Sequence, residues 1–369
     1  MEDRIGIIDA DLVGMKKHRF PNLASMKISG YNKSIGNSVK LITSYDEDLS
    51  RYDKVYLSKV FTKTEVPEDI ISLPNVVVGG TGFFYDKATP LKDEIEHCMP
   101  DYHLYDDWIS AMVEGGARES QFVFYRDYSI GFTTRGCFRK CPFCVNKNYD
   151  HVFKHSAICE FYDKSRKKIC LLDDNILGFK GWREIFDELN STGKKFQYKQ
   201  GMDERLLTDE KCKVLFNSNY DGDFTFAFDN IADYDLIQRK LEMIRTYTNR
   251  QCRFYVLVGF DRGGRYDADF WVQDIFDCMK RCELLFKYRC IPYVMRFEKY
   301  LESPYERLYK AIAAWTNQPS LCKTNSLRQF VTKTYQSTGS TSRYYSVRDF
   351  CNEFPAFDKY ADMKFGEIN

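Results

Sequence analysis

Six short apolar runs constrain the fold of this chain more than any other feature. Each ends in glycine or polar residues and is followed by an amphipathic stretch; they cover residues 128–133, 169–172, 196–199, 224–228, 254–258 and 291–295. Such runs predict strands buried in a parallel sheet, and the stretches between them predict helices, as where Trp182, Phe186 and Leu189 share one helical face. Six strand–helix units predict a partial (β/α)6 barrel of TIM type, with its site at the carboxyl ends of the strands.

The first hundred residues have a similar pattern. Branched apolar runs at 5–9, 39–43, 54–58 and 76–78 predict parallel strands, and residues 21–31 have the apolar spacing of a helix. The last of these strands leads into the glycine-rich run 79–82. Glycines at the carboxyl edge of a parallel sheet let the backbone approach a ligand closely, although a plain tight turn also explains them. This part of the chain therefore predicts a Rossmann-like parallel sheet domain of the α/β class.

These patterns give a domain organisation. We expect a Rossmann-like domain at 1–105, a connector at 106–126 with a short helix, the partial barrel at 127–300 and a small helical C-terminal extension at 301–369 that could serve as a lid. The composition of residues 336–342, rich in serine, threonine and glycine, predicts a flexible linker within that extension.

Composition excludes several classes of protein. An apolar content of 44%, with 16% aromatic residues in a chain of 369, is ample for globular domains and argues against disorder. The formal net charge of +1 gives no indication of a nucleic-acid partner, and no apolar run is long enough to cross a membrane. The opening segment lacks the apolar core of a signal peptide, and thirteen cysteines, an odd number, suggest reduced thiols. We therefore expect a cytoplasmic protein.

Three cysteines lie together in the loop after the strand at 128–133. Cys137, Cys141 and Cys144 have the spacing C-x3-C-x2-C, which random placement of thirteen cysteines would produce roughly 0.02 times per chain. Three thiolates on one loop can bind three irons of a four-iron cluster and leave the fourth open for chemistry. The alternative is a zinc site of three cysteines and one histidine, for which His151 and His155 are the nearest candidates.

The motif and its surroundings resemble the signature of the radical S-adenosylmethionine (SAM) superfamily. Phe143 precedes the last cysteine, and Thr133-Thr134-Arg135-Gly136 leads into the loop. The resemblance implies that a [4Fe-4S] cluster binds SAM through its open iron and cleaves it reductively. The resulting 5′-deoxyadenosyl radical then abstracts hydrogen from a substrate. It also implies an external electron donor such as flavodoxin or ferredoxin, and a Phe143 ring that shields the cluster and contacts the adenine.

The resemblance also assigns roles to residues that follow the second strand of the barrel. Asp173, Asp174 and Asn175 occupy the position from which relatives contact the amino group of SAM. Two carboxylates and an amide supply the acceptors that an ammonium group needs. A helix cap ahead of Trp182 is the alternative explanation.

Further candidates follow the later strands. Gln200, Asp203 and Arg205 come after the third strand, where contacts to the SAM carboxylate or to the substrate are common, and an arginine can bind a carboxylate with two hydrogen bonds. Asp229 follows the fourth strand, near the position expected for the ribose hydroxyls. Arg296 follows the sixth strand and is expected to point toward the same opening. Each of these residues has a surface polar role as its alternative.

The N-terminal domain resembles the B12-binding-like domain of many radical SAM proteins, but it departs from the usual cobalamin motif. The usual motif is Asp-x-His-x-x-Gly, and at the end of the first strand this chain has Asp9-Ala-Asp11-Leu-Val-Gly14. Asp11 therefore stands where the motif has its histidine. Carboxylates are hard donors and do not replace imidazole on cobalt. We therefore expect a degenerate domain without histidine-ligated cobalamin, and more generally without cobalamin. Binding of cobalamin without that histidine, which the resemblance to other B12-using radical SAM enzymes allows, is the alternative. Cys278 and Cys282 lie in an apolar helical stretch and are expected to be packed side chains, not ligands of a second cluster.

Three hypotheses for the function follow. The first is a radical SAM enzyme that acts on an unidentified substrate by hydrogen abstraction. The second is a cobalamin-dependent radical SAM methyltransferase. The third, from another class, is a metal-binding or interaction protein without enzymatic activity.

Overall fold

Two compact units make up the structure, a computed structural model that describes residues 2–15, 18 and 20–366. The first unit extends to Asp174 and includes Asp187–Gln197; the second comprises Asn175–Phe186 and the residues from Tyr198 onward. The strands are β1 Arg4–Asp9, β2 Ser38–Ile42, β3 Lys54–Ser58, β4 Val76–Gly79, β5 Tyr128–Gly131, β6 Thr134–Arg135, β7 Phe153–Lys154, β8 Lys168–Leu171, β9 Lys195–Tyr198, β10 Phe224–Ala227, β11 Cys252–Val258 and β12 Ile291–Arg296.

The α-helices alternate with these strands and then fill the C-terminal region. They are α1 Ala10–Gly14, α2 Leu23–Ser34, α3 Glu68–Ile71, α4 Thr81–Phe84, α5 Asp93–Glu96, α6 Asp106–Glu114, α7 Val123–Arg126, α8 Trp182–Ser191, α9 Asp209–Asn217, α10 Tyr234–Tyr247, α11 Ala268–Lys287, α12 Glu306–Thr316, α13 Pro319–Thr324, α14 Leu327–Thr338, α15 Thr341–Glu353 and α16 Asp358–Asp362. Within the described residues, no helix has both the length and the apolar character needed to cross a membrane.

The N-terminal sheet is parallel throughout, with strand order β2-β1-β3-β4. Successive side chains of β1 alternate between two cores. Ile7 packs in one core with Met26 of α2, and Ile8 packs in the other with Val55 of β3. Burial on both faces explains the continuous apolar run of β1, which lies between β2 and β3. The predicted Rossmann-like sheet is confirmed.

The segment predicted as a connector contributes to one of these cores. Its helix α6 lies where the sequence predicts it, and Ile109 of that helix is fully buried. Phe122 and Tyr125 pack in the same core as Ile7. This segment therefore contributes to the hydrophobic core of the N-terminal sheet.

The six predicted strands of the second region are present as β5, β8, β9, β10, β11 and β12. β5 pairs in parallel with β8, and the sheet order is β5-β8-β9; in the second unit β10, β11 and β12 form a parallel sheet in that order. An isolated parallel bridge between Met202 and Phe226 extends the second sheet. The predicted α/β fold class, with a Rossmann-like sheet, six barrel-type strands and a helical extension, is confirmed. The exact domain boundaries stay a prediction.

The C-terminal extension is helical, but the predicted linker at 336–342 is wrong. Helix α14 continues to Thr338 and α15 begins at Thr341, and Gly339 ends α14 in the left-handed conformation with φ +70. Burial of Val331 in α14 and Phe350 in α15 explains the difference, because packing stabilises helices whose composition alone favours a flexible chain. The role as a lid stays a prediction.

Candidate functional site

The three motif cysteines lie in a loop that begins just beyond the carboxyl end of β5. The chain runs from β5 into β6, which pairs antiparallel with β7, with Thr134 opposite Lys154 and Arg135 opposite Phe153. The backbone N–H of His155 also donates to the carbonyl of Thr133 (2.9 Å). This small ladder closes residues 136–152 into one loop, here called the cysteine loop. It carries all three thiols, which are partly exposed and form no disulfide.

Gly136 allows the loop to start where it does. Its φ of +88 is favourable for glycine, and a Cβ at this position would lie 2.4 Å from the carbonyl oxygen of His151. Further along, the N–H of Cys144 donates to the carbonyl of Cys141 (2.9 Å), and the N–H of Asn146 donates to the Sγ of Cys144 (3.4 Å). Local backbone geometry thus fixes the turn that holds two of the thiols.

Asp173 follows β8 and binds the chain ahead of the cysteine loop. Its carboxylate accepts hydrogen bonds from the backbone N–H of Thr133 (3.0 Å) and Thr134 (2.6 Å), and from both threonine hydroxyls (2.6 Å each). Burial raises the pKa of Asp173 above its ordinary value, while the bonds from the two threonines act in the opposite direction. Four hydrogen bonds match the acceptor capacity of one carboxylate.

Asp174 contacts the loop itself. One oxygen accepts from the backbone N–H of Gly136 (2.7 Å) and the other from the side-chain amide of Asn146 (2.7 Å). These contacts show what Asp173 and Asp174 bind within the chain. Their contact with the amino group of SAM stays a prediction. The sequence analysis missed Asn146, although its position two residues after Cys144 was a usable signal.

Two residues that follow β4, Tyr85 and Asp86, contact the cysteine loop. The Tyr85 hydroxyl donates to the carbonyl of Phe143 (2.8 Å), and Asp86 pairs with Lys147 (3.1 Å). Tyr85 has a φ of +51, which is uncommon for a residue other than glycine. The Phe143 side chain is half-buried, and its contact with adenine stays a prediction. Sequence analysis did not identify Tyr85 because backbone strain of this kind has no compositional signal.

The donor chemistry of the loop fits an iron–sulfur cluster. Three thiols supply the soft ligands that such a cluster requires, and each binds a separate iron. Among the described residues, no three His, Cys, Asp or Glu side chains are grouped as ligands of a single metal ion. His155, one of the two candidates for the fourth ligand of a zinc site, stacks on His97 with ring centroids 5.3 Å apart. Its ring also forms a hydrogen bond with the Ser156 hydroxyl (2.9 Å).

A second group of predicted residues lies in the second unit. Arg205 pairs with Asp203 (2.7 Å) and Asp233 (3.0 Å), so its guanidinium is held in one orientation. Glu204 lies between Asp203 and Arg205 in the sequence. It is buried and accepts a hydrogen bond from the N–H of Ala227 (3.1 Å). Burial, followed by the nearby Asp203, raises the pKa of Glu204 to about 8. Glu204 was not identified from the sequence, although it lies between two candidates.

The remaining candidates differ in exposure. Asp229 accepts from the N–H of Leu257 (3.1 Å), and burial raises its pKa to about 6 although Arg281 acts in the opposite direction. Gln200 is exposed. Arg296 is also exposed, and its guanidinium lies 4.9 Å from the centre of the Tyr300 ring. Asn175 is buried and immediately precedes the short 3-10 helix Ile176–Gly178. The roles proposed for Gln200, Arg205, Asp229, Arg296 and Asn175 all stay predictions.

The two aspartates after β1 are bound within the N-terminal domain. Asp11 accepts from the N–H of Val60 (2.7 Å) and from the Thr64 hydroxyl, and Asp9 accepts from the Tyr105 hydroxyl (2.9 Å). Both carboxylates are buried. The absence of histidine-ligated cobalamin stays a prediction.

One glycine after β4 is explained by the chain itself. Gly80 has a φ of +98, and a Cβ there would lie 2.3 Å from the carbonyl oxygen of Lys59. Gly80 therefore allows a close approach to the backbone of the segment after β3, and the approach of the run 79–82 to a ligand stays a prediction.

The thiols of α11 are packed as predicted. Cys278 and Cys282 are both buried in this helix. A hydrogen bond with the Cys278 thiol, followed by burial, raises the pKa of Cys282 well above its ordinary value. A protonated, buried thiol is the state expected of a core side chain.

Comparison with known proteins gives a limited set of matches. No protein-family model and no curated protein matches the chain. Solved structures of the cobalamin-dependent S-adenosylmethionine radical enzyme OxsB are similar to it. The form with aqua-cobalamin and S-adenosylmethionine bound has 13% identity and a TM-score of 0.47, covering 84% of this chain and 55% of that chain.

Two other OxsB structures also match. The form with aqua-cobalamin bound has 11% identity and a TM-score of 0.36, and the apo, selenomethionine-labelled form has 12% identity and a TM-score of 0.35. Each match covers 80% of this chain and 49% of the other. The chain thus spans about half the length of the solved structures that it matches.

Proposed function

We propose that this chain is a radical SAM enzyme in which Cys137, Cys141 and Cys144 bind a [4Fe-4S] cluster. The cysteine loop carries this proposal: three partly exposed thiols with C-x3-C-x2-C spacing lie just beyond β5 in a loop closed by β6 and β7. When bound there, the cluster supplies the electron for reductive cleavage of SAM to a 5′-deoxyadenosyl radical, which abstracts hydrogen from an unidentified substrate. A partial barrel supports such a site at the carboxyl ends of its strands.

The proposal gives the polar candidates the task of binding and orienting SAM. Asn175 and Asp174 provide acceptors for the amino group, and Arg205 is suited to a carboxylate because its pairing with Asp203 and Asp233 fixes the direction of its guanidinium. Asp229 provides an acceptor for the ribose hydroxyls. Its partly buried side chain has two carboxylate oxygens, which can accept hydrogen bonds from both ribose hydroxyls.

The remaining candidates have supporting roles in the proposal. The half-buried Phe143 would cover the cluster and contact the adenine, and the exposed Gln200 and Arg296 would bind SAM or the substrate at the opening of the site. An external electron donor such as flavodoxin or ferredoxin supplies the reducing equivalent. Partial exposure of the three thiols supports this part of the proposal, because electron transfer from a separate protein requires a close approach to the cluster.

Iron content tests the cluster directly. We expect about four irons per chain after anaerobic reconstitution of the wild-type protein, and none bound as a cluster when Cys137, Cys141 and Cys144 are replaced together by alanine. Cys159→Ala is the matched control, because this exposed thiol lies outside the loop. Retention of the cluster by the triple variant would refute the proposed site. Zinc in place of iron in the wild-type protein would favour a non-enzymatic metal-binding protein.

The products of SAM distinguish the reaction classes. With the reconstituted protein, SAM and dithionite, we expect 5′-deoxyadenosine that depends on the three cysteines. S-adenosylhomocysteine as an additional product would indicate methyl transfer. Titration with hydroxocobalamin then tests the cobalamin-dependent alternative, since binding with a shifted visible spectrum would support it.

A further inference from the structure

Asp174 contacts both ends of the segment that carries the three cysteines. Gly136 comes directly before Cys137, and Asn146 comes two residues after Cys144. One oxygen of Asp174 accepts from the Gly136 N–H and the other from the Asn146 amide, each at 2.7 Å. A single carboxylate therefore links the start of the segment to its end.

Four hydrogen bonds hold the residue next to Asp174 in place. Asp173, the neighbour of Asp174, accepts the four hydrogen bonds from Thr133 and Thr134 and is fully buried. These bonds fix the end of β8 against the chain that leads into the loop. Hydrogen bonds to a buried carboxylate are among the stronger ones in proteins. The hydrogen bonds to Thr133 and Thr134, which precede the loop in the chain, therefore help to fix the position of Asp174 relative to Gly136.

The link also reaches a thiol through the backbone. The N–H of Asn146 donates to the Sγ of Cys144 (3.4 Å), while the side chain of the same residue donates to Asp174. Fixing the Asn146 side chain therefore restrains the backbone group that bonds to a cysteine sulfur. Groups that orient a metal ligand in this way tune the ligand without binding the metal.

We propose that Asp174 and Asn146 form a clamp that holds Cys137 and Cys144 at the separation in which the loop presents its thiols to the cluster. The inference rests on the proposed function, since it assigns positioning residues to the proposed cluster site. Asp174 and Asn146 act through the loop and do not bind iron. The clamp gives the two residues a role in the chain itself, whether or not Asp174 also contacts SAM.

A swap of the two side chains tests the clamp. Asn146→Asp alone removes the amide donor and places a second carboxyl group against Asp174. At alkaline pH, where both carboxyl groups are ionised and cannot share a proton, their repulsion opens the link. In the double variant Asn146→Asp with Asp174→Asn, residue 174 can accept from the Gly136 N–H through its amide oxygen. Its amide NH2 can donate to the new carboxylate at position 146. The double variant therefore restores both hydrogen bonds: the Gly136 N–H still donates to residue 174, and only the bond between residues 146 and 174 has its donor and acceptor exchanged. A purely local role of either residue would not give this rescue.

Hydrogen exchange on the protein without cluster provides the first measurement. We expect exchange at the Gly136 amide to accelerate about tenfold or more in Asn146→Asp, because a hydrogen bond to a charged group contributes about that factor to the closed state. The double variant should return to the wild-type rate. Exchange in β1, which lies outside the loop, reports whether each variant is folded.

Reconstituted protein provides the second measurement. We expect Asn146→Asp to lose iron and the double variant to regain it, together with the change that SAM causes in the EPR spectrum of the reduced cluster. Wild-type loop protection in Asn146→Asp, or failure of the double variant to restore it, would overturn the clamp. If the wild-type protein binds no iron while exchange follows the expected pattern, the clamp stands and the proposed function fails.

Discussion

Replacing Asp9 by asparagine should make the stability of the protein less sensitive to alkaline pH. Asp9 ends β1, is fully buried and accepts from the Tyr105 hydroxyl (2.9 Å). Burial is the main cause that raises its pKa from 3.8 to about 7, and the neighbouring Asp11 adds to it. Since each pKa unit is worth about 1.4 kcal/mol, ionising Asp9 in the folded protein costs about 4 kcal/mol.

The sign of the effect follows from proton binding. Between pH 3.8 and about 7 the folded protein holds a proton on Asp9 that the unfolded chain has released. The contribution of this group to stability is therefore complete below pH 3.8 and is lost as the pH rises through 7. His18, whose Nε2 lies 3.7 Å from Asp9, has the opposite dependence, because burial lowers its pKa to about 4. Its contribution is present in both proteins and cancels in the comparison.

Urea unfolding of the wild-type protein and Asp9→Asn at pH 4 and pH 8 measures the difference. We expect the variant to gain roughly 3 to 4 kcal/mol relative to the wild type between these two pH values. Asparagine keeps one oxygen, which can accept from Tyr105, but it loses the oxygen that accepts from the Leu12 N–H (3.4 Å). This loss is present at both pH values, so the difference between them isolates the charge. Asp3→Asn, at an exposed carboxyl in the same domain, is the control and should show no such gain. Parallel pH profiles for Asp9→Asn and the wild type would refute the reasoning.

Three further perturbations test other parts of the structure. Gly136→Ala should abolish cluster binding, and Gly116→Ala should not. Both glycines have a positive φ, so each substitution costs about 1–2 kcal/mol of folding free energy. Only at Gly136 would the new Cβ also clash with a backbone carbonyl. Glu204→Gln should raise the urea midpoint at pH 9 and leave it unchanged at pH 4, because a buried carboxyl with a pKa of about 8 destabilises the fold as it ionises; equal effects at both pH values would contradict this. Tyr85→Phe removes the hydrogen bond to the Phe143 carbonyl and should destabilise the loop by about 1 kcal/mol, detectable as faster loss of iron to a chelator than in the wild type.

The sequence predicted the strands well and the connecting segments less well. All ten apolar runs predicted as strands are strands, because each is a short run rich in apolar residues, many of them β-branched or aromatic, and is visible in the chain. In central strands such as β1 and β8, burial on both faces makes the run continuous. The predicted linker at 336–342 is wrong, because α14 and α15 are stabilised by packing of Val331 and Phe350, and a residue's contacts across the fold are not encoded in its local composition.

The candidate site divides in the same way. The spacing of the three cysteines is a local property, so the sequence alone identified the loop and its donor chemistry. The partners of Asp173 and Asp174 lie about 28 to 40 positions earlier in the chain, and they meet only because β5 and β8 are neighbours in a parallel sheet. No pattern within the pair itself indicates that one aspartate binds two threonines and the other binds both ends of a loop.

The sequence by itself determined the α/β class, the positions of the strands along the chain and the three-thiol loop, because hydrophobic periodicity and ligand spacing are properties of consecutive residues. Tertiary structure decided which polar groups are buried and what they bind. Asp9 and Glu204 have raised pKa values because strands and helices distant in sequence exclude water from them. Such burial is a property of the assembled fold, since desolvation depends on all the atoms around a group and not on its neighbours in the chain.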